Sequence, residues 1–354
     1  MINTDEQLLE AARGGDEAAF SQLIGPHRGA LHAHCYRMLG SVQDAEDALQ
    51  ETLLNAWRAL PRFEGRSSLK SWLYRIATNA CLKTIERRPR RVLPIDYAPA
   101  ADPHDRLAAP PVESVWIEPY PGAGIEGEDR PASPDARYEQ RESVELAFVA
   151  ALQHIPARQR AVLILRDVLA FSAKEVAETL EMTPAAVDTA LQRAHKTVDE
   201  RLPGQSQQDT LQAIGDERLR QLVGGFMDAW ERADVDAVVA MLAHEATIAM
   251  PPQPTWYRGR DAVATFLRTV ALAPGMRWRL LPVAANGQLA FGEYRWNETT
   301  EHFVGRAVMV LTITDALIAD ITAFGSPELF PHFGLPAQLE PGIAQPVREG
   351  EAPR

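Results

Sequence analysis

Apolar residues recur at three- and four-residue spacing through the first part of the chain. Leu31, Cys35, Met38 and Leu39 share one stripe. Ala45, Ala48, Leu49 and Trp57 share a second over residues 44–57. Leu69, Trp72, Leu73, Ile76 and Ala80 share a third over residues 68–87. The spacing predicts amphipathic helices up to about residue 93. The pattern then breaks. Residues 94–137 hold nine prolines, from Pro94 to Pro134, together with Gly122, Gly124 and Gly127. Prolines at that density interrupt helices and sheet interiors, so an extended linker largely without structure of its own is expected. Helical spacing returns over 138–203, and a short polar stretch at 203–209 reads as a second linker. Two further helices are expected near 218–232 and 235–242. Residues 247–324 alternate and are rich in aromatics, and Ala307-Val308-Met309-Val310-Leu311-Thr312-Ile313 fits a strand. The expected organisation is multidomain. Two all-α units at 1–93 and 138–203 flank the linker at 94–137, an α+β domain follows at 211–335, and 336–354 forms a flexible Pro-, Gly- and Glu-rich tail.

Charge sharpens this division. The chain has 354 residues and a net charge of −12, which by itself disfavours a nucleic-acid partner. The distribution says otherwise. Residues 63–91 contain eight basic and two acidic residues, a local balance of +6; residues 92–136 contain nine acidic and two basic ones, a balance of −7. Cys35 and Cys81 are the two cysteines. Both fall on apolar stripes and read as buried, reduced thiols, with no disulfide framework and no zinc site. No run approaches the ~20 apolar residues of a membrane span. The N-terminus is acidic and amphipathic, unlike a signal peptide. No membrane partner and a cytoplasmic location are expected.

Residues 171–194 carry the most specific local pattern. Ser172 and Glu175 form a capping box ahead of Val176, Ala177 and Leu180. The turn is Glu181-Met182. Thr183 caps the next helix and Pro184 takes its first position, where a missing N–H costs nothing. Val187, Leu191, Ala194 and Val198 form the inner stripe. Pro184, Ala185, Asp188, Thr189, Gln192, Arg193 and Lys196 are left on the other face, with Arg158 and Lys174 nearby. That is the equipment of a helix-turn-helix offering its second helix to a major groove, set against a plain helical hairpin with a solvated face. In the first unit, Phe63, Trp72 and Tyr74 lie among Arg66, Lys70, Arg75, Lys83, Arg87 and Arg88, with Asn79 on the same helix. Basic residues hold phosphates and aromatic faces hold unstacked bases. Trp72 lies on the apolar stripe and is expected in the core; Phe63 and Tyr74 lie off it. Asp44, Glu46, Asp47 and Glu51 make a carboxylate face beside Leu49, Gln50, Leu53 and Trp57. It is either merely solvated or a dock for a basic partner.

These residues resemble a known family. Asp44-Ala45-Glu46-Asp47-Ala48-Leu49-Gln50-Glu51-Thr52-Leu53-Leu54-Asn55-Ala56-Trp57 resembles region 2.2 of bacterial RNA polymerase sigma factors. Residues 63–82 resemble regions 2.3 and 2.4, and residues 155–194 resemble region 4, in the order and spacing of the small extracytoplasmic-function type. The resemblance implies core-polymerase binding through Asp44, Glu46, Asp47, Leu49, Gln50, Glu51 and Trp57. It implies −10 element contacts through Phe63, Arg66, Lys70, Tyr74, Arg75, Asn79, Lys83, Arg87 and Arg88. It implies −35 contacts through Arg158, Lys174 and the exposed face named above. The implied partners are core RNA polymerase, through its beta-prime clamp and beta flap, and promoter DNA. The acidic linker then either mimics nucleic-acid charge or is a tether. Residues 212–335 resemble the cone-shaped SnoaL-like fold, related to ketosteroid isomerases. Trp230, Trp256, Tyr294, Trp296 and Asp320 are the candidate pocket residues, with Glu293 a second acid, for a small-molecule or intramolecular ligand. No catalytic pair, metal or cofactor is expected, and regulation is favoured over catalysis there. The remaining alternative is a helix-turn-helix regulator with a ligand-binding or enzymatic C-terminal domain.

Overall fold

A computed structural model of the chain describes residues 4–111, 115–122 and 144–341. The first unit contains α1 (Thr4–Arg13), α2 (Glu17–Ile24), α3 (Arg28–Leu39), α4 (Val42–Ala59) and α5 (Leu69–Ile85). Ser41 caps α4 by accepting from the Asp44 N–H, and Ser68 caps α5 by accepting from the Ser71 N–H. Gly40 ends α3 in the left-handed conformation, which glycine adopts without a Cβ penalty. After one helical turn, α6 (Pro94–Tyr97), the second unit contains α7 (Leu146–Gln153), α8 (Ala157–Leu163), α9 (Ala173–Leu180) and α10 (Pro184–Asp199).

The third unit pairs α11 (Gln207–Ile214), α12 (Asp216–Glu231), α13 (Val235–Ala240) and α14 (Arg260–Phe266) with a seven-stranded mixed sheet. Its strands are β1 (Leu242–Ala249), β2 (Trp256–Arg258), β3 (Trp278–Ala285), β4 (Gln288–Asn297), β5 (His302–Thr314), β6 (Leu317–Phe324) and β7 (Gln338–Leu339). The order is β2-β1-β6-β5-β4-β3, with β7 on β5; β1 and β6 run parallel and the other pairs antiparallel. Strand alternation gives the sheet two buried faces. Phe291, Met309 and Leu311 pack with Phe226 and Trp230 of α12. Ala290, Val308 and Val310 belong instead to the cluster that contains Tyr36, Tyr74 and Leu165. The sheet therefore joins the core of both helical units.

Three expectations need correction. The proline-rich stretch is not structureless throughout: Trp116, Ile117 and Tyr120 are buried, because Ile117 and Tyr120 join the core shared by the first unit and the sheet, and Trp116 packs edge-on against Tyr97 at 5.1 Å. Its residues 112–114 and 123–137 lie outside the described residues, as do 342–354 of the tail. Residues 338–339 of that tail form a strand on β5. The expected linker at 203–209 already begins α11. Gln207 donates from Nε2 to the Ile313 carbonyl (2.8 Å) and accepts from the Ile313 N–H (2.7 Å), so paired amides replace the water a linker would have.

Candidate nucleic-acid interface

The helix-turn-helix forms as its caps require. Glu175 N–H donates to Ser172 Oγ (3.2 Å), and Ser172 N–H donates to Glu175 Oε2 (2.9 Å). The Ser172 hydroxyl also donates to Glu175 Oε2 (2.7 Å), and this bond, with that from the Ser172 N–H, holds the Glu175 carboxyl below its ordinary range. Glu181 turns the chain at φ 55°, and Ala186 N–H donates to Thr183 Oγ1 (3.2 Å). Val187, Ala190, Ala194 and Val198 are buried. Pro184, Ala185, Asp188, Thr189, Gln192, Arg193 and Lys196 are all exposed, as are Arg158 and Lys174. The seven α10 residues form one continuous face of the helix.

On α4 the structure separates the candidates. Leu49 is 3% exposed and belongs to the core. Asp44 is buried too, held by Arg91 (2.6 Å) and by Arg88. Those pairs make Asp44 a structural anchor for residues 88–91 and take Arg88 out of the free basic set. Asp47 and Gln50 are exposed, Glu46 and Glu51 half-buried, and Trp57 packs edge-on against Phe20 at 5.0 Å. Leu54, missed in the sequence reading, is 48% exposed beside them. Its position off the α4 stripe was the available signal.

The basic helix divides similarly. Phe63 and Tyr74, expected on the surface, are buried. Phe63 stacks near Trp72 at 4.9 Å, and Tyr74 meets His34 at 5.2 Å and Phe171 of the second unit at 5.5 Å. Both were assigned by stripe position, but α1, α2 and Trp72 of the same unit cover Phe63, and Phe171 of the second unit covers Tyr74. Arg66, Lys70, Asn79 and Arg87 are exposed; Lys83 pairs with Glu51 at 2.9 Å. The helix-turn-helix itself supplies the cover over α5. Ser71 Oγ donates to Glu175 Oε1 (3.1 Å), and Arg75 lies 3.7 Å from Glu181.

The stretch 115–122 binds the units together. Glu118 Oε2 accepts from Ser41 Oγ (2.8 Å) and Val42 N–H (2.9 Å) at the start of α4, where a carboxylate meets unpaired N–H groups and the positive end of the helix dipole. Tyr36 donates its hydroxyl to the Glu118 carbonyl (2.8 Å). Asn286, in the turn between β3 and β4, is fully buried. Its Oδ1 accepts from Tyr120 N–H (2.9 Å), and its Nδ2 donates to Tyr36 Oη (3.0 Å) and the Val144 carbonyl (2.7 Å). Asn286 and Glu118 were both missed; the Asn-Gly pair at 286–287 signals a tight turn but not what it touches.

The five pocket candidates do not converge. Trp230 lies in the helix-facing core, while Tyr294 lies on the opposite face against Phe330. Trp296 sits beneath Arg277 at 4.2 Å. Trp256 donates to the Ala98 carbonyl (2.7 Å), and Asp320 accepts from Thr247 Oγ1 (2.6 Å). Burial pushes the Asp320 carboxyl up against that bond. Glu293 shares the Trp230 side, where burial pushes its carboxyl up to about 7. Among the described residues no group of three or more His, Cys, Asp or Glu could hold a metal, and no helix is long and apolar enough to cross a membrane.

Two helical units, one ending in a helix-turn-helix, joined to a sheet-bearing cone domain define a multidomain DNA-binding class. The models for Sigma-70 region 2, Sigma-70 region 4 and the SnoaL-like domain match residues 23–91, 145–198 and 223–321. The chain is 42% identical to the ECF RNA polymerase sigma factor SigG of Mycobacterium tuberculosis over 330 residues, 92% of this chain and 86% of that protein. It is 30% identical to SigM of the same organism over 191 residues, 54% of this chain and 81% of that protein. The crystal structure of the M. tuberculosis extracytoplasmic function sigma factor SigJ shares the fold, with a TM-score of 0.56 at 21% identity, covering 87% of this chain and 97% of that one. The chain belongs to the extracytoplasmic-function RNA polymerase sigma factors. As such it is a transcription initiation factor that binds core RNA polymerase and directs it to promoter DNA.

Proposed function

We propose that the packed arrangement is a resting state of this sigma factor, held by the C-terminal domain. In this reading core polymerase docks on the α4 face formed by Glu46, Asp47, Gln50, Glu51 and Leu54, and α10 reads the −35 element through Gln192, Arg193 and Lys196. The −10 element is read from α5 and the turn after it, by Lys70, Arg75, Asn79 and Arg87. The observation that carries the resting-state reading is the seating of α9 on α5. Ser71 there donates to Glu175, and Arg75 pairs with Glu181 at the exposed rim of the contact. The beta-prime clamp and beta flap are the partner surfaces, and the protein works in the cytoplasm, where polymerase and template are. The C-terminal domain acts by biasing populations and not by catalysis; the placing of Trp230 and Tyr294 on opposite sides of the sheet supports this.

The test is run-off transcription with purified core polymerase on fragments upstream of its own gene. A discrete transcript that requires the protein is expected. Arg75→Glu, which adds a charge clash with Glu181, should favour opening and raise core-polymerase affinity while impairing −10 melting. Unchanged core affinity in that variant would sink the resting-state reading.

A further inference from the structure

The exposed face of α10 is chemically divided along its length. From Pro184 to Gln192 the helix carries no lysine or arginine; its cations, Arg193 and Lys196, come only afterwards. A recognition helix meets base edges mainly with its N-terminal half, and in α10 that half holds a single acid, Asp188, and no cation. Ala185, Asp188, Thr189 and Gln192 are its exposed side chains. Thr189 Oγ1 donates to the Ala185 carbonyl (2.9 Å), which commits that hydroxyl proton to the helix itself.

Neighbouring carboxylates of this unit have structural work. Glu175 caps α9 and bonds Ser71, Glu181 lies beside Arg75, and Asp167 bonds His195 Nε2 at 2.5 Å. Asp188 has no such partner among the described residues, and it is exposed. A carboxylate on a face turned to DNA opposes binding through phosphate repulsion, unless it takes a donor from a base. An ionised carboxylate only accepts hydrogen bonds. In the major groove the donors are cytosine N4 and adenine N6, while guanine and thymine present acceptors. Adenine sets its N7 acceptor beside its donor, and that lone pair repels a carboxylate. Cytosine is the base whose own edge offers a donor and no acceptor.

We propose that Asp188 is a specificity-determining residue that selects cytosine at one position of the −35 element. Its carboxylate accepts from cytosine N4 and turns away the acceptor edges of guanine and thymine. The electrostatic attraction to the duplex comes from Arg193 and Lys196 further along the same face, so Asp188 adds selectivity at the expense of overall affinity. The inference rests on the reading of α10 as the −35 helix and deepens it by naming one base that the helix recognises.

The experiment is selection of binding sites from a randomised duplex pool by core polymerase carrying the full chain, as wild type, Asp188→Ala or Asp188→Asn, at fixed ionic strength. Titration of core polymerase with each variant confirms that it is folded. Wild type should enrich cytosine at one position of the upstream element by about tenfold over the other bases. Asp188→Ala should lose that preference and keep the rest of the profile. Asp188→Asn should move it to adenine, whose N6 and N7 match an amide. An Asp188→Ala profile identical to wild type would overturn the proposal. So would binding that strengthens equally on every sequence, which would leave Asp188 a solvated carboxylate repelling phosphates, or loss of preference at every position, which would mark a structural role. A wild-type pool with no preference in the upstream element would overturn the −35 reading of α10 and this proposal with it, whereas a preference that survives Asp188→Ala and is lost in Arg193→Ala overturns this proposal alone.

Discussion

Replacing Asn286 should release the linker from the sheet without unfolding the C-terminal domain. Its side chain makes three buried hydrogen bonds, to Tyr120 N–H, Tyr36 Oη and the Val144 carbonyl. A buried group left unpaired costs about 1–3 kcal/mol. The Tyr36 hydroxyl keeps its bond to the Glu118 carbonyl, so two groups are stranded outright. Water entering the vacated space recovers part of the loss. Roughly 3 kcal/mol is the net expectation. Asn286 also sits at φ 53°, where alanine pays about 1 kcal/mol more than glycine. Asn286→Gly therefore isolates the hydrogen bonds, and Asn286→Ala adds the backbone cost. The assay is hydrogen exchange of the 115–122 amides. Exchange at Tyr120 should accelerate by about a hundredfold in Asn286→Gly, while the α12 amides that pack against Phe291 stay protected. Unchanged Tyr120 exchange in Asn286→Gly would refute the argument that this residue fastens the linker.

Three further outcomes follow from the same geometry. Leu54→Arg should weaken core-polymerase binding by about tenfold in a pull-down or fluorescence titration, with thermal stability unchanged because Leu54 is 48% exposed. Arg193→Ala should lower −35-dependent run-off transcription by about 1–3 kcal/mol equivalent while core binding stays at the wild-type level. Glu293 titrates near 4.5 when unfolded and about 7 when folded, so between those values the folded state binds more protons. Stability should fall by roughly 3 kcal/mol as pH rises through that window and then level off. Urea unfolding of Glu293→Gln across pH 4.5–8 should lack that slope.

The sequence alone determined the elements whose causes are local. The Ser172–Glu175 box and the Thr183-Pro184 start place α9 and α10 within a residue or two, because a cap satisfies N–H groups only a turn away. The exposed α10 face from Ala185 to Lys196 follows from helical period, and the family order of the motifs was legible for the same reason. Period shows which residues share a face but not what covers it, and tertiary packing decided that. Phe63 and Tyr74 lie off their apolar stripe yet are buried, because Trp72 and Phe171 come to them from other elements. Asp44 reads as a surface carboxylate until Arg88 and Arg91 fold back onto it. Trp116 and Tyr120 read as linker because prolines surround them, but burying two large aromatic rings outweighs the ordering of a short extended strand. The pocket candidates fell on opposite sides of one sheet, since Trp230 reaches one face from α12 while strand alternation turns Tyr294 and Trp296 of β4 to the other. Contacts between residues far apart in sequence depend on how whole units dock, and no local pattern encodes that.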